Sequence, residues 1–405
     1  MERIGVWLIG ARGALASTAI VGARAISHGL ARHGGLVTEL PEIAALKLVG
    51  LDRMVFGGWD VAGGKLLHKA RAMAVDDRAV PAGLVAALED DLLAVDNHIK
   101  PGFVDTAGSG RGAARQGKPR KEPLEAVVAR LGDDLEQFRL EQRLRRVIVV
   151  NVASTEPPCA RVPEHDTLDG VRRLIQNDRR AAVTPSMLYA YAALERGCPY
   201  VNFTPSTGAT PAGVQELGWK HAMPFYGNDG KTGETLMKSV LAPLFRMRNL
   251  EVLSWAGFNI LGGGDGENLS NPRQRESKLR SKAGVLGPTL GYAPHSSVSI
   301  DYVPSLGSWK TAWDHIHFSG FLGTKMSVQF IWQGCDAILA APLALDLVRL
   351  TDFAHEKGER GPMTHLACFF KDPIGVSVHS FTDQFRLLLD YVEEHAGAER
   401  QGRRR

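Results

Sequence analysis

The sequence predicts an α/β protein, with an open parallel sheet and a region of antiparallel character in its middle. Three observations carry that expectation. The apolar run Ile4 to Ile9 ends in Gly10-Ala-Arg-Gly13-Ala-Leu-Ala16 and passes into helical periodicity. Two more apolar segments, Arg146 to Val150 and Pro199 to Asn202, run into the small polar stretches Asn151-Val-Ala-Ser154-Thr155-Glu156 and Phe203-Thr204-Pro-Ser206-Thr207. Glu251 to Asn259, Ser296 to Val303 and Lys325 to Trp332 read as strands for which an antiparallel sheet fits.

The first strand, turn and helix present backbone N–H groups and a helix N-terminus to a pyrophosphate. Gly10, Gly13, Ala14 and Leu15 are the expected cofactor turn, with Arg12 where Gly-x-Gly-x-x-Gly wants its second glycine. Leu46 to Leu51 reads as a second strand, followed by Phe56-Gly-Gly-Trp-Asp60. Asp52 and Asp60 are both able to accept from an adenosine ribose, Asp60 further along than the usual spacing.

From Ala62 to Leu140 the chain is helical in character, broken by the basic glycine-rich segment Ser109 to Lys121, which reads as a solvated loop. The polar ends of the strands at Ser154-Thr155 and Thr204-Ser206 fall where an open parallel sheet places ligands. Beyond them, Thr232 or Thr235 is expected to cap a helix bearing Leu236, Val240, Leu241 and Leu244 on one face. Ala337 to Leu350 is a nearly all-apolar helix suited to a core or an intersubunit contact. Leu366 to Phe370 reads as an apolar strand that delivers Lys371. His315 and His317, one residue apart, read as ordinary histidines because no carboxylate pattern accompanies them.

The most distinctive stretch is Asn259 to Lys282. Gly262-Gly-Gly-Asp265 demands a tight polar loop, and Asn271-Pro272 is a helix start. The helix would place Lys278 and Lys282 four apart on one face, where two ammonium groups repel unless an anion joins them. That suggests a pocket for a phosphorylated, hydroxylated small molecule.

Composition narrows the classes. The 405 residues are 44% hydrophobic and 23% charged, with a formal charge of +4, so neither a disordered chain nor a nucleic-acid binder is indicated. The basic loop and the tail Arg403-Arg-Arg405 lack stacking aromatics. No apolar run approaches the ~18 residues of a membrane span. The N-terminus opens into a strand-like segment, so no signal peptide is expected. Cys159, Cys198, Cys335 and Cys368 lack metal-type spacing and read as reduced thiols of a cytoplasmic protein.

Taken together, several segments resemble the inositol-phosphate synthase family, NAD-dependent cyclases of hexose 6-phosphates. The matching pieces are Phe56-Gly-Gly-Trp-Asp60, Gly227-Asn-Asp-Gly-Lys231-Thr-Gly-Glu-Thr, Gly263-Gly-Asp-Gly-Glu-Asn-Leu-Ser and Ser277-Lys278-Leu-Arg-Ser-Lys282. Gly307-Ser-Trp-Lys310, Leu339-Ala-Ala-Pro-Leu with Asp346, and Phe370-Lys371-Asp-Pro complete the set, in the family's order.

The resemblance implies a catalytic set of Lys278, Lys282, Lys310 and Lys371 with Asp265. It places Lys282, Asn259, Thr204, Ser206 and Lys231 around the sugar phosphate. Gly10, Arg12, Gly13, Ala14, Leu15, Asp60, Ser154, Thr155, Asp229 and Asp336 are the expected NAD-binding residues. The implied fold is a Rossmann-type doubly wound sheet, residues 1–228 and 336–405, interrupted by an α+β catalytic and tetramerisation domain, residues 229–335, in a homotetramer.

Three departures from the family pattern stand out: Arg12 and Ala14 alter the cofactor turn, Gly263 and Gly264 replace the usual asparagines, and Ser308 replaces the aspartate two residues before Lys310, the last two where the choice of substrate could be made. Attack on C1 of glucose 6-phosphate would close a six-membered ring, the leading expectation, and attack on C2 of fructose 6-phosphate a five-membered one. A plain sugar-phosphate dehydrogenase would explain the nucleotide fold but not the four lysines.

Overall fold

The structure is a computed structural model and describes residues 2–103, 122–263 and 286–402. Seven strands build the larger sheet: β1 (Ile4–Ile9), β2 (Met54–Asp60), β3 (Ile99–Pro101), β4 (Val147–Asn151), β5 (Tyr200–Asn202), β6 (Pro224–Gly227) and, from the end of the chain, β11 (Gly361–Pro362). Their order is β11-β6-β5-β4-β1-β2-β3, and every pairing is parallel. The order reverses between β1 and β4, which opens a crevice at the strands' carboxyl ends.

A parallel sheet covered on both faces needs apolar side chains on both. In β1, Ile4, Val6 and Leu8 enter one core with the helices Ala14–Ser27 and Asp336–Glu356. Trp7 and Ile9 enter the other, with Leu124–Glu141 and Pro185–Glu195.

The second strand is not where the sequence suggests. Leu46, Leu48 and Val49 are buried in irregular chain, Leu51 is buried in a short 3₁₀ helix (Leu51–Arg53), and the strand is Met54–Asp60. Gly57 and Gly58, which the sequence places after the expected strand, are strand residues that allow close approach. A Cβ at Gly57 would meet the Trp7 ring at 2.8 Å, and one at Gly58 would strike the Leu8 carbonyl. Leu366 to Phe370 is likewise corrected: Thr364–Phe369 is a 3₁₀ helix. Its apolar side chains are buried against the helix Phe381–Gly402 instead of sheet neighbours.

The smaller sheet contains β7 (Glu251–Leu261), β8 (His295–Tyr302), β9 (Trp309–Ser319) and β10 (Lys325–Cys335), in the order β10-β9-β7-β8. β9 pairs antiparallel with β7 and β10, whereas β7 and β8 run parallel. β9 escapes a sequence reading because a carboxylate interrupts its buried face of Ala312, Asp314, Ile316 and Phe318. His315 and His317 lie on its opposite face, and no group of three metal-ligating side chains occurs among the described residues.

The helix Gly233–Met247 turns a different face inward than its apolar stripe suggests. Glu234, Thr235, Lys238, Ala242 and Phe245 are buried, whereas Val240 and Leu244 are 45% and 46% exposed and Met247 76%. Thr232 precedes it without a side-chain cap, and neither expected capping hydroxyl is used that way.

Candidate active site

A cleft of about 1540 Å³ lies at the carboxyl ends of β1, β2 and β4 and extends to the smaller sheet. On the nucleotide side it is lined by Gly10, Arg12, Gly13, Ala14 and Leu15 of the first turn, and by Asp60, Ser154 and Thr155. Gly10 takes a left-handed conformation (φ 82°), and its N–H donates to the Trp59 carbonyl at 2.8 Å. No side chain caps the helix Ala14–Ser27 and no acidic residue occupies its first turn, so its N-terminus is left for an anion.

Arg12 does not obstruct the turn. Its guanidinium is drawn aside to Asp96, with Nε and Nη2 each 3.1 Å from Oδ1. Its backbone N–H donates to Asp60 at 2.6 Å, and Ala62 N–H donates to the other Asp60 oxygen at 2.7 Å. Asp60 is thus pinned at the end of β2, beside the turn, as a ribose acceptor must be. These residues fit a dinucleotide.

Across the cleft stand two lysine–aspartate pairs. Lys371 Nζ donates to Asp229 Oδ1 at 2.8 Å, and Lys310 Nζ donates to Asp336 Oδ2 at 3.2 Å. Asp229 has a left-handed backbone (φ 61°), an uncommon state for a residue with a side chain. It is held there because Asp229 N–H donates to Thr204 O and Lys371 N–H to Asp229 O, at 2.9 and 2.7 Å.

The helix Gly233–Met247 adds a feature that the sequence reading missed. A Cβ built on Gly233 would lie 3.6 Å from Lys310 Nζ and 3.9 Å from Asp336, so this ammonium sits at the helix N-terminus. Asp336 already partners that ammonium and Glu234 occupies the helix's first turn, so the two positive ends are partly offset within the protein. Thr235, on the same first turn and lining the cleft, is buried with a hydroxyl that has no partner among the described residues. No capping pattern announces this arrangement, because Lys310 arrives from a distant strand.

The other expected residues are placed differently. Lys231 is buried and donates to Gln384 of the C-terminal helix, outside the cleft lining, and burial lowers its pKa to about 8. Thr204 lines the cleft, but its hydroxyl donates to Asn202 at 2.8 Å. Ser206 is turned inward, its Oγ accepting from Glu156 N–H at 3.0 Å. Asn259 is buried behind the lining, its amide donating to Glu234 at 2.7 Å. Lys278, Lys282 and Asp265, like the basic segment up to Lys121, lie outside the described residues.

Glu156 was not singled out by sequence, yet it ties three loops. Its carboxylate accepts from Ser186 N–H at 2.8 Å and Ser186 Oγ at 2.7 Å. Burial raises it to about 7, with the Ser186 donors opposing that rise.

The family model described as myo-inositol-1-phosphate synthase, an NAD-binding family, matches residues 4–392. Inositol-3-phosphate synthase 1 of Bacteroides thetaiotaomicron is 33% identical over 94% of this chain and 91% of its own length. Inositol-3-phosphate synthase 1 of Homo sapiens is also 33% identical, over 81% of this chain and 59% of its own length. The crystal structure of inositol-3-phosphate synthase from Caenorhabditis elegans superposes with a TM-score of 0.88, covering 98% of this chain and 86% of that one at 24% identity.

Proposed function

Because the chain belongs to the myo-inositol-1-phosphate synthase family, we propose that it cyclises glucose 6-phosphate to 1L-myo-inositol 1-phosphate with NAD. The observation that supports this most is the convergence of Lys310–Asp336 and Lys371–Asp229 on one cleft with the glycine turn. Gly10, Gly13, Ala14 and Leu15 would hold the pyrophosphate, Asp60 a ribose, and Ser154, Thr155, Asp229 and Asp336 the nicotinamide half. When bound, NAD would take a hydride from C5 of the open-chain sugar and return it after ring closure.

The chain's own residues manage protons and charge. Lys371, steadied by Asp229, moves the proton at the C5 oxygen. The C5 ketone acidifies C6, and loss of a C6 proton leaves an enolate whose oxygen needs a cation. Lys310 supplies one, and by resemblance Lys278 another. C6 then bonds to C1, the aldehyde oxygen takes a proton, and reduction at C5 leaves no net change of oxidation state. The phosphate sits at the N-terminus of Gly233–Met247 with Thr235 and Lys310, joined by Lys282 on the strength of the resemblance.

Residues 229–335 would form the catalytic and tetramerisation domain, and 1–228 with 336–405 the nucleotide domain. The apolar side chains left exposed on the smaller sheet, Phe258 stacked on Trp313 at 5.0 Å and Ile331 at 68% exposure among them, support assembly through that sheet. No helix among the described residues is long and apolar enough to cross a membrane, and the four unpaired thiols suit a reducing cytoplasm. Incubation with NAD and either glucose 6-phosphate or fructose 6-phosphate, read by product NMR, tests the reading. Inositol phosphate from the aldose is expected. A five-membered product from the ketose alone would overturn the substrate assignment.

A further inference from the structure

We propose that Asp77 and Ser308 form a positioning pair that sets Lys310 in the cleft, the carboxylate being delivered by the nucleotide-binding half of the chain. The proposal rests on the reading above, in which Lys310 is an active-site lysine.

Asp77 lies just beyond the helix Leu66–Val75. The start of that helix borders the cofactor turn: Leu66 N–H donates to Asp96 Oδ1 at 3.4 Å, the oxygen that also takes the Arg12 guanidinium. Its far end reaches the smaller sheet. Ser308 Oγ donates to the Asp77 carboxylate, and Trp309 Nε1 donates to the Asp77 carbonyl at 2.7 Å. Gly307 is left-handed (φ 55°), and a side chain there would collide with the same carboxylate. The three residues immediately before Lys310 are therefore all shaped by one residue more than two hundred positions earlier. A ten-residue helix links the cofactor turn to the lysine's turn.

The contact also has a chemical consequence. Ser308 lines the cleft beside Lys310. A hydroxyl has one proton and two lone pairs, so with its proton given to Asp77, Ser308 offers the cleft only acceptors. A carboxylate behind the hydroxyl strengthens that acceptor by polarisation. The pair thus places beside Lys310 a hydroxyl with a carboxylate one hydrogen bond behind it. Lys310 and a sugar hydroxyl would then meet an acceptor whose charge is set one hydrogen bond back.

The test compares Ser308→Ala, Asp77→Asn, their double variant and Ser308→Thr for kcat, KM, NAD affinity and Tm. Each single variant should lower kcat roughly 10- to 100-fold, as expected when a reacting group shifts by about 1 Å. NAD affinity and Tm should be unchanged, the double variant no worse than the poorer single one, and Ser308→Thr close to the parent. Labelling of Lys310 by an amine-reactive ester, followed by peptide mass spectrometry, reads the pair without turnover and should rise several-fold in both single variants. Unaltered labelling, losses that multiply in the double variant, or losses that track falling Tm and NAD affinity would overturn the proposal. A parent enzyme making no cyclitol phosphate would overturn the functional reading instead, while the labelling would still judge the pair.

Discussion

Lys371 and Asp229 are joined twice, by Nζ donating to Oδ1 at 2.8 Å and by Lys371 N–H donating to the Asp229 carbonyl at 2.7 Å. Beside them, Asn228 and Asp372 exchange backbone hydrogen bonds. The amine's position is therefore set by main chain as well as by charge, and removing the amine leaves the scaffold that holds it.

Lys371→Met and Lys310→Met should fail at different steps. The first should lose hydride transfer itself, with a fall in kcat on the order of 10²–10³. The second should still form reduced cofactor in a single turnover yet release no cyclitol phosphate. Rapid-mixing absorbance at 340 nm with product analysis separates the two, and equal loss of cofactor reduction in both would contradict the assignment.

Thr235→Val keeps the side-chain shape and removes a hydroxyl that has no protein partner among the described residues. Stability should not fall. If the phosphate uses that hydroxyl, the lost hydrogen bond, about 1 kcal/mol, should raise KM for the sugar phosphate several-fold. Steady-state kinetics beside a melting curve checks both halves.

Lys231 gives an opposite expectation to the one its sequence context suggests. Its amine faces Gln384, so Lys231→Met should leave KM for the sugar phosphate within roughly a factor of three, a change of under 1 kcal/mol. Burial lowers the amine from 10.5 to about 8, so the folded state binds fewer protons than the unfolded between those values. The parent's stability relative to the variant should therefore rise as pH climbs from 8 to 10, in urea titrations at each pH.

Glu156 titrates with the reverse sense. Its carboxyl rises from 4.5 to about 7 when folded, so its contribution is full below pH 4.5 and lost as pH increases through 7. Glu156→Gln cannot ionise. The parent should be less favoured against it at pH 8 than at pH 4.5, by roughly 3 kcal/mol from the size of the shift. A difference flat with pH would contradict the buried carboxyl.

What the sequence made legible follows from what each signal measures. Ile4–Ile9 was readable because a strand buried on both faces is apolar throughout. Met54–Asp60 was hidden because Gly57 and Gly58 serve Trp7 and Leu8, neighbours that exist only in the sheet. Lys310 and Lys371 were found through motif resemblance, but their pairing with Asp336 and Asp229 is tertiary. The same holds for Lys231, whose partner lies 153 residues away. Asp77 belongs to no motif and becomes visible only where the helix Leu66–Val75 ends against Ser308.

A closed redox loop around one sugar phosphate is read most plainly by following cofactor and carbon together. With catalytic NAD and excess carbon-labelled glucose 6-phosphate, many turnovers to inositol phosphate are expected, with no accumulation of NADH. NADH rising in step with an acyclic oxidised product would contradict it.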